Sequence, residues 1–267
     1  MNHSTVKPLS VHSLADMKQR GEKISCLTAY DASFSALIDH IGVDIMLVGD
    51  SLGMTIQGHG TTLPVTITDM VYHTRCVSHA RQRAYVIADL PFMSYSTPVI
   101  AAKNAAKLMQ LGGAQMVKLE GTRPDIVSFL VEQGVPVCGH LGLLPQHINQ
   151  LGRYAVQGKN RIDAEKMIAD ALRLEQSGAA LLVLECVPAS LGKEISLQLG
   201  IPVIGIGAGV DCDGQVLVLQ DMLNIGTGKR PRFSKDFMQH AVSIEAAISA
   251  YHEAVKQSLF PTLDHSF

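Results

Sequence analysis

Eight short apolar runs punctuate this chain, and they restrict its fold more than any other feature. They occupy residues 24–30, 45–49, 84–90, 116–120, 135–140, 181–187, 202–206 and 215–219. Most are continuously apolar rather than alternating, as parallel strands covered on both faces are. Helical segments lie between most of them. Thr97 caps one that begins with Pro98 and runs to Leu111, stopped by Gly112 and Gly113. Asp163 can cap a second, whose Met167, Ala171, Leu172 and Leu174 form an apolar stripe ending at Gly178. Ser190 and Gly200 bracket a short third, and a long helix from about Ser234 to Ser258 closes the chain. Alternating β and α with eight strands predicts an α/β fold of the (β/α)8 TIM-barrel kind. The connection after the seventh run is too short for a full helix, and a doubly wound open sheet is the alternative. A chain of 267 residues fits one domain. The expected domain is 1–267, with an N-terminal segment 1–23 and a C-terminal helix and tail 234–267 around the barrel.

Three of the runs carry a carboxylate at or next to their C-terminal end: Asp50, Asp89 and Glu120. Apolar segments do not carry an unpaired charge without great cost. Acids at the ends of successive strands would converge and repel unless a cation neutralised them, and an all-oxygen set suits a hard ion such as Mg2+. The plainer reading is that a strand-terminal Asp caps the next turn. Lys118 and Glu120 are two residues apart and share a face. Lys118 is then either a structural counter-ion or a cation that holds an anionic substrate beside the metal. Glu185 has the most apolar surroundings of any acid here, which raises a carboxyl pKa and suits a catalytic base. Its alternative is pairing with a basic group from another strand. His140, also strand-terminal, is a substrate contact, a metal ligand or a satisfied buried histidine.

Other chemistries find little support. A net charge of -2 argues against nucleic acid or acidic membranes as partners, and the absence of Trp weakens base stacking further. The segment 205–209 (Gly-Ile-Gly-Ala-Gly) misplaces the third glycine of a dinucleotide fingerprint, so close backbone approach in a loop is the better reading. The five cysteines show no C-x-x-C spacing, which suits a reducing cytosol. No apolar signal segment stands within residues 1–20, and no run approaches a membrane span, so a cytoplasmic location is expected. The stretches 51–64 and 141–160 are long for plain connections and read as lids or binding loops, or else as disordered.

Several segments in order resemble the ketopantoate hydroxymethyltransferase family. They are Leu-Val-Gly-Asp-Ser-Leu-Gly-Met at 47–54, Thr-Leu-Pro-Val-Thr at 62–66, Ala-Asp-Leu-Pro-Phe-Met at 88–93, Val-Lys-Leu-Glu-Gly at 117–121, Pro-Val-Cys-Gly-His-Leu-Gly at 136–142, Leu-Glu-Cys-Val-Pro at 184–188, Ile-Gly-Ile-Gly-Ala-Gly at 204–209 and Asp-Gly-Gln-Val-Leu at 213–217. The resemblance implies a barrel related to the phosphoenolpyruvate/pyruvate-domain enzymes. It implies hydroxymethyl transfer from 5,10-methylenetetrahydrofolate to 3-methyl-2-oxobutanoate through a Mg2+-stabilised enolate, the first committed step of pantothenate synthesis. Asp50, Asp89 and Glu120 are then the metal set, Asp50, Ser51, Asp89 and Lys118 contact the oxo acid, and Glu185 accepts the proton. A homo-oligomer, typically a decamer, is implied too. Ala155 and Lys159 stand where relatives often carry Lys and Arg, and Asn224 replaces a common Gly. A Mg-dependent 2-oxo-acid lyase or mutase on the same barrel is the alternative, and a non-catalytic binder of a metal–oxo-acid complex a third reading.

Overall fold

The structure, a computed structural model, describes residues 7–226, 228 and 230–267. Residues 1–6 of the expected N-terminal segment lie outside these. Each apolar run overlaps a strand: β1 (Ile24–Thr28), β2 (Ile45–Val48), β3 (Tyr85–Asp89), β4 (Met116–Glu120), β5 (Val137–Gly142), β6 (Leu181–Glu185), β7 (Val203–Ile206) and β8 (Gly214–Leu217), with β5 running two residues further and β8 starting one residue earlier than read. All pair in parallel and in chain order, and β1 also pairs with β8, Cys26 opposite Val216, which closes the barrel and excludes the open sheet. The helices are α1 (Val11–Gln19), α2 (Ala32–Ile41), α3 (Leu52–Thr55), α4 (Ile67–Ala80), α5 (Pro98–Gln110), α6 (Pro124–Glu132), α7 (Ile148–Leu151), α8 (Arg161–Gln176), α9 (Ala189–Gln198), α10 (Leu219–Met222) and α11 (Ile244–Lys256). None separates β7 from β8, as the short connection requires. Among the described residues, no helix is long and apolar enough to cross a membrane.

Two apolar cores follow from the two-residue strand period. Val86, Ala88, Val117, Leu119, Leu182 and Leu184 point outward and pack under the helices. Ile45, Leu47, Tyr85, Ile87, Met116, Cys138, Leu181 and Val183 point inward and fill the lower barrel. Leu14 and Met17 of α1 plug its floor, and burial of each contributes roughly 1.5–3 kcal/mol. The same inward parity then delivers Asp89, Lys118, Glu120, His140 and Glu185 to the upper layer.

The last helix seals the seam. The Tyr251 hydroxyl of α11 lies 2.8 Å from the Cys26 carbonyl and 2.9 Å from that of Gln215, spanning β1 and β8. Lys256 at its end reaches Asp44 at 2.6 Å, and Arg83 meets the same buried carboxylate at 2.9 Å. A buried charge needs such partners.

Helix boundaries depart from expectation in three places. The capping of α5 by Thr97 is as read, but Asn160 rather than Asp163 caps α8; Asp163 sits a turn later and donates its backbone N–H to the Asn160 side chain at 2.8 Å. The third helix, α9, starts at Ala189 and ends at Gln198, two residues before Gly200. The final helix starts at Ile244, not Ser234, because Ser243 caps it. Upstream, the Asp236 side chain accepts from Met238 N–H at 2.9 Å, a local turn that competes with helix. Phe237 is anchored edge-to-face against Tyr251 and Phe260. Asn224 has φ 54°, in the left-handed region where glycine is the default and Asn the usual substitute.

Candidate active site

A cavity of about 660 Å³ opens at the C-terminal ends of the strands, the face where barrels of this kind carry their sites. Asp50, Ser51, Asp89, Lys118, Glu120, His140 and Glu185 all line it. The sequence-read candidates therefore converge on one pocket. Asp50 and Ser51 come from the turn after β2, Asp89 ends β3, Lys118 and Glu120 ride β4, His140 lies on β5 and Glu185 ends β6. The following residue, Cys186, has φ 49°, a strained conformation for a residue with a side chain, directly beside Glu185.

The acids share one buried cation. Lys118 Nζ stands 3.0 Å from Asp89 Oδ1 and 3.4 Å from His140 Nδ1. Burial alone would depress its ammonium, but Asp89, Glu120 and Asp50 outweigh that and hold it above the usual lysine range. Asp50, buried and beside Asp89, is pushed up to about 7. Glu120 rises well above the ordinary carboxyl range through burial and then Asp50. Glu185 is pushed up to about 7 by burial, against the pull of Lys118. His140 lies well below the usual imidazole value through burial and then Lys118, so it is neutral at pH 7. With Nδ1 facing an ammonium, its proton belongs on Nε2. That nitrogen lies 3.2 Å from Glu185 Oε2 but off the line of a hydrogen bond, leaving it a donor in the cavity wall.

Gln146, just beyond β5, was not among the candidates. It is 4% exposed and ties the acids together. Its Nε2 donates to Asp50 Oδ2 at 2.8 Å and to the Leu90 carbonyl at 3.0 Å, while its backbone N–H donates to Glu120 Oε2 at 3.1 Å. The Tyr95 hydroxyl donates to Gln146 Oε1 at 2.6 Å, which fixes the amide's orientation. A polar residue inside a long loop after a strand carries no periodic signal, and only the length of that loop pointed there. Thr62 lines the cavity too, and its buried hydroxyl has no partner. Tyr30 meets Ser51, hydroxyl to hydroxyl, at 2.8 Å. Gly207 and Gly209, both at positive φ, lie where a Cβ would meet Phe267 and Ala189 respectively, which makes close approach the reason for the glycines at 205–209.

The acids do not stand as a finished metal shell. Among the described residues, no three His, Cys, Asp or Glu side chains converge at ligand spacing. Glu120 is turned to the Gln146 N–H, Asp50 to the Gln146 amide, and Asp89 Oδ2 accepts from Asp50 N–H at 3.0 Å. Carboxylates that repel one another settle on whatever donors are near. The donor set nonetheless suits a hard cation. Asp89 Oδ1 is buried with the Lys118 ammonium, 3.0 Å away, as its counter-charge, and four carboxylates share that one ammonium. Mg2+ is commonly held by one or two carboxylates with waters completing its octahedron.

A family model described as ketopantoate hydroxymethyltransferase matches residues 8–263. A 3-methyl-2-oxobutanoate hydroxymethyltransferase of Alkalilimnicola ehrlichii is 56% identical over 265 residues, covering 98% of this chain and 96% of that one. One from Methylococcus capsulatus is 56% identical over 262 residues, 97% of each. Among solved structures, 2,3-dimethylmalate lyase, a PEP mutase/isocitrate lyase superfamily member, aligns with a TM-score of 0.57 at 12% identity over 93% of this chain and 98% of that one. Phosphoenolpyruvate phosphomutase from Streptomyces platensis gives 0.61 at 11% over 81% and 83%. These two share the barrel, as the sequence resemblance implied. Matched by its relatives over nearly its whole length, the chain belongs to the ketopantoate hydroxymethyltransferase family of enzymes.

Proposed function

We propose that this one-domain barrel transfers a hydroxymethyl group from 5,10-methylenetetrahydrofolate to 3-methyl-2-oxobutanoate (α-ketoisovalerate), giving 2-dehydropantoate for pantothenate biosynthesis. The observation that carries the reading is the pairing of functions in one cavity: a cluster of acids around Lys118, and a separate carboxylate, Glu185, free to meet substrate. The names of the relatives supply the oxo acid and the transferred group.

Asp50, Asp89 and Glu120 would hold Mg2+. When bound, the ion supplies Lewis-acid withdrawal from the oxo acid's carboxylate and keto oxygens. Lys118, kept as an ammonium, pairs with the developing negative charge. The Ser51 hydroxyl and the His140 Nε2–H offer further donors to substrate oxygens. Glu185 accepts the C3 proton; general-base action of this kind is worth about 10²–10⁴ in rate. Water adds to the donor's methylene carbon, whose two C–N bonds break to release tetrahydrofolate and leave the carbon at the formaldehyde level; C3 then adds to that carbon, and the alkoxide formed takes back the proton held by Glu185. We further infer a cytoplasmic homo-oligomer, a decamer by family resemblance. Five free cysteines suit a reducing compartment. The exposed side chains of Phe92, Met93, Val99 and Ile100 give a second copy something to cover.

Incubation with both substrates and Mg2+ should yield 2-dehydropantoate. In D2O without the folate, the wild-type protein should exchange the C3 proton of 3-methyl-2-oxobutanoate, while Glu185→Gln binds the acid but does not exchange it. Exchange near the wild-type rate in Glu185→Gln would assign the base elsewhere.

A further inference from the structure

We propose that Phe267 and Phe233, with Arg232 stacked on the Phe267 ring, form the wall that binds the flat ring of the one-carbon donor. The wall stands across the cavity from the acids that take the oxo acid. The inference rests on the two-substrate reading above and assigns its second half to named residues.

Barrel order supplies the geometry. In a closed ring of eight strands, β7 and β8 lie opposite β3 and β4. Asp89, Lys118 and Glu120 stand on β3 and β4, so one side of the cavity is charged. The facing side presents Ile206 at the end of β7 and Val218 just past β8. Glu185 on β6 sits on the arc between them, so the carbon it deprotonates is turned toward the apolar side. The electrophile has to approach from there.

Two aromatic rings cover that side, in a chain where aromatics make up only 5% of residues. The tail returns across the barrel to place one of them. The main-chain oxygen of Phe267 accepts from Ala189 N–H at 2.8 Å, at the start of α9, where Pro188 provides no side-chain cap. The Arg232 guanidinium carbon lies 5.3 Å from the centre of the Phe267 ring, and Arg232 Nε donates to the Asp264 carbonyl at 3.2 Å. A Cβ on Gly207 would come within 3.0 Å of the Phe267 ring and 3.1 Å of Phe233 Cβ, so the β7 loop packs directly against both residues. Both are half-buried and line the cavity, backed by protein and open on the other side. That is a stacking platform for a planar heterocycle. Size agrees: a five-carbon oxo acid leaves most of a cavity of about 660 Å³ empty, a volume in the range that drug-sized ligands fill. Arg153, Lys159 and Arg232 are exposed at the rim, where a carboxylate-bearing donor tail would leave.

The test is calorimetric titration of the Mg2+-loaded protein with 3-methyl-2-oxobutanoate and, separately, with tetrahydrofolate. Phe267→Ala and Phe233→Ala should weaken tetrahydrofolate about tenfold or more, as loss of a stacking partner does. They should weaken the oxo acid much less, and Phe267→Tyr should restore tetrahydrofolate binding. Arg232→Met, which leaves both rings in place, should weaken tetrahydrofolate alone, and it carries the test if the alanine variants fail to melt cooperatively. Equal losses for both ligands, or a loss confined to the oxo acid, would mean that the rings serve the substrate's alkyl group and would overturn the proposal. A wild-type protein that makes 2-dehydropantoate while the variants bind tetrahydrofolate as tightly as it does overturns the wall alone. A wild-type protein that makes none and binds no tetrahydrofolate overturns the underlying reading as well.

Discussion

Replacing Gln146 with Leu keeps the bulk and removes the amide. Three buried groups then lose a partner: Asp50 Oδ2, the Leu90 carbonyl and the Tyr95 hydroxyl. Each orphaned group costs about 1–3 kcal/mol, more where the acceptor is charged. Local relaxation recovers part of this, so the net cost is about 3 kcal/mol, the low end of the summed range. At roughly 2–4 °C per kcal/mol for a chain of this size, the melting temperature should fall by about 6–12 °C. The assay is thermal unfolding followed by circular dichroism, with chelator present so that no metal masks the change. Gln146→Glu is the sharper companion. It has the same shape, but when ionised it sets a carboxylate against Asp50 and Glu120. Burial and those acids raise its folded pKa above the unfolded value near 4.3. Its stability is therefore retained at acidic pH and lost as pH rises through the folded pKa. The Glu variant should be less stable than the Leu variant at about pH 8 and should recover toward wild type, relative to it, near pH 5.5. A Leu variant melting within about 2 °C of wild type, or a Glu variant whose deficit ignores pH, would refute the claim that this amide organises the acids.

Three further outcomes follow from the site. With Glu185 pushed up to about 7 and His140 neutral, the rate of C3–H exchange should rise with pH through about 7 and then level; a limb at the ordinary carboxyl value near 4.3 would remove Glu185 as base. Lys118 should stay an ammonium, so borohydride added with 3-methyl-2-oxobutanoate should leave no adduct; a substrate-sized mass gain on Lys118, with activity surviving chelator, would replace the metal reading with a Schiff base. Asp50→Asn and Asp89→Asn should each raise the Mg2+ concentration needed for half-maximal thermal stabilisation by at least about tenfold; an unchanged titration in both would remove them as metal holders.

The barrel was legible because parallel strands covered on both faces leave continuous apolar runs, and eight of them survive in this sequence. The convergence of the candidate residues was legible for a related reason. Acids are so costly inside such runs that Asp50, Asp89, Glu120 and Glu185 stand out, and the two-residue period sends those on the strands inward with Lys118 and His140. What escaped was whatever depends on chain segments meeting. Gln146 is an ordinary loop residue until Tyr95, Leu90 and Asp50 are brought to it. Phe267 lies 60 residues beyond Gly207 in sequence and rests against it in space. Residues 234–243 carry helix-compatible composition, yet the turn at Asp236 and the anchoring of Phe237 delay the helix to Ser243. Asn160 and Asp163 are both good caps, and local preference does not choose between them.

Residue type and strand position make Glu120 and Glu185 near equivalents, and only their neighbours separate them. Both end inward-facing strands, and burial lifts the pKa of each. Glu120 has one oxygen held by the Gln146 N–H and lies beside Asp50, so its charge belongs to a cluster that a cation would stabilise. Glu185 is raised by burial with Lys118 pulling the other way, its side chain is 16% exposed to the cavity, and its nearest polar neighbour is a neutral imidazole off the hydrogen-bonding line. A carboxylate with a free oxygen and a pKa near 7 can accept a proton and return it at neutral pH. One with an oxygen already held by a backbone N–H inside a crowded anionic cluster cannot do so without disturbing its partners. The proposed roles, base for Glu185 and metal-side charge for Glu120, rest on what donates to each oxygen, and exchanging those donors should exchange the roles before any change of residue type does.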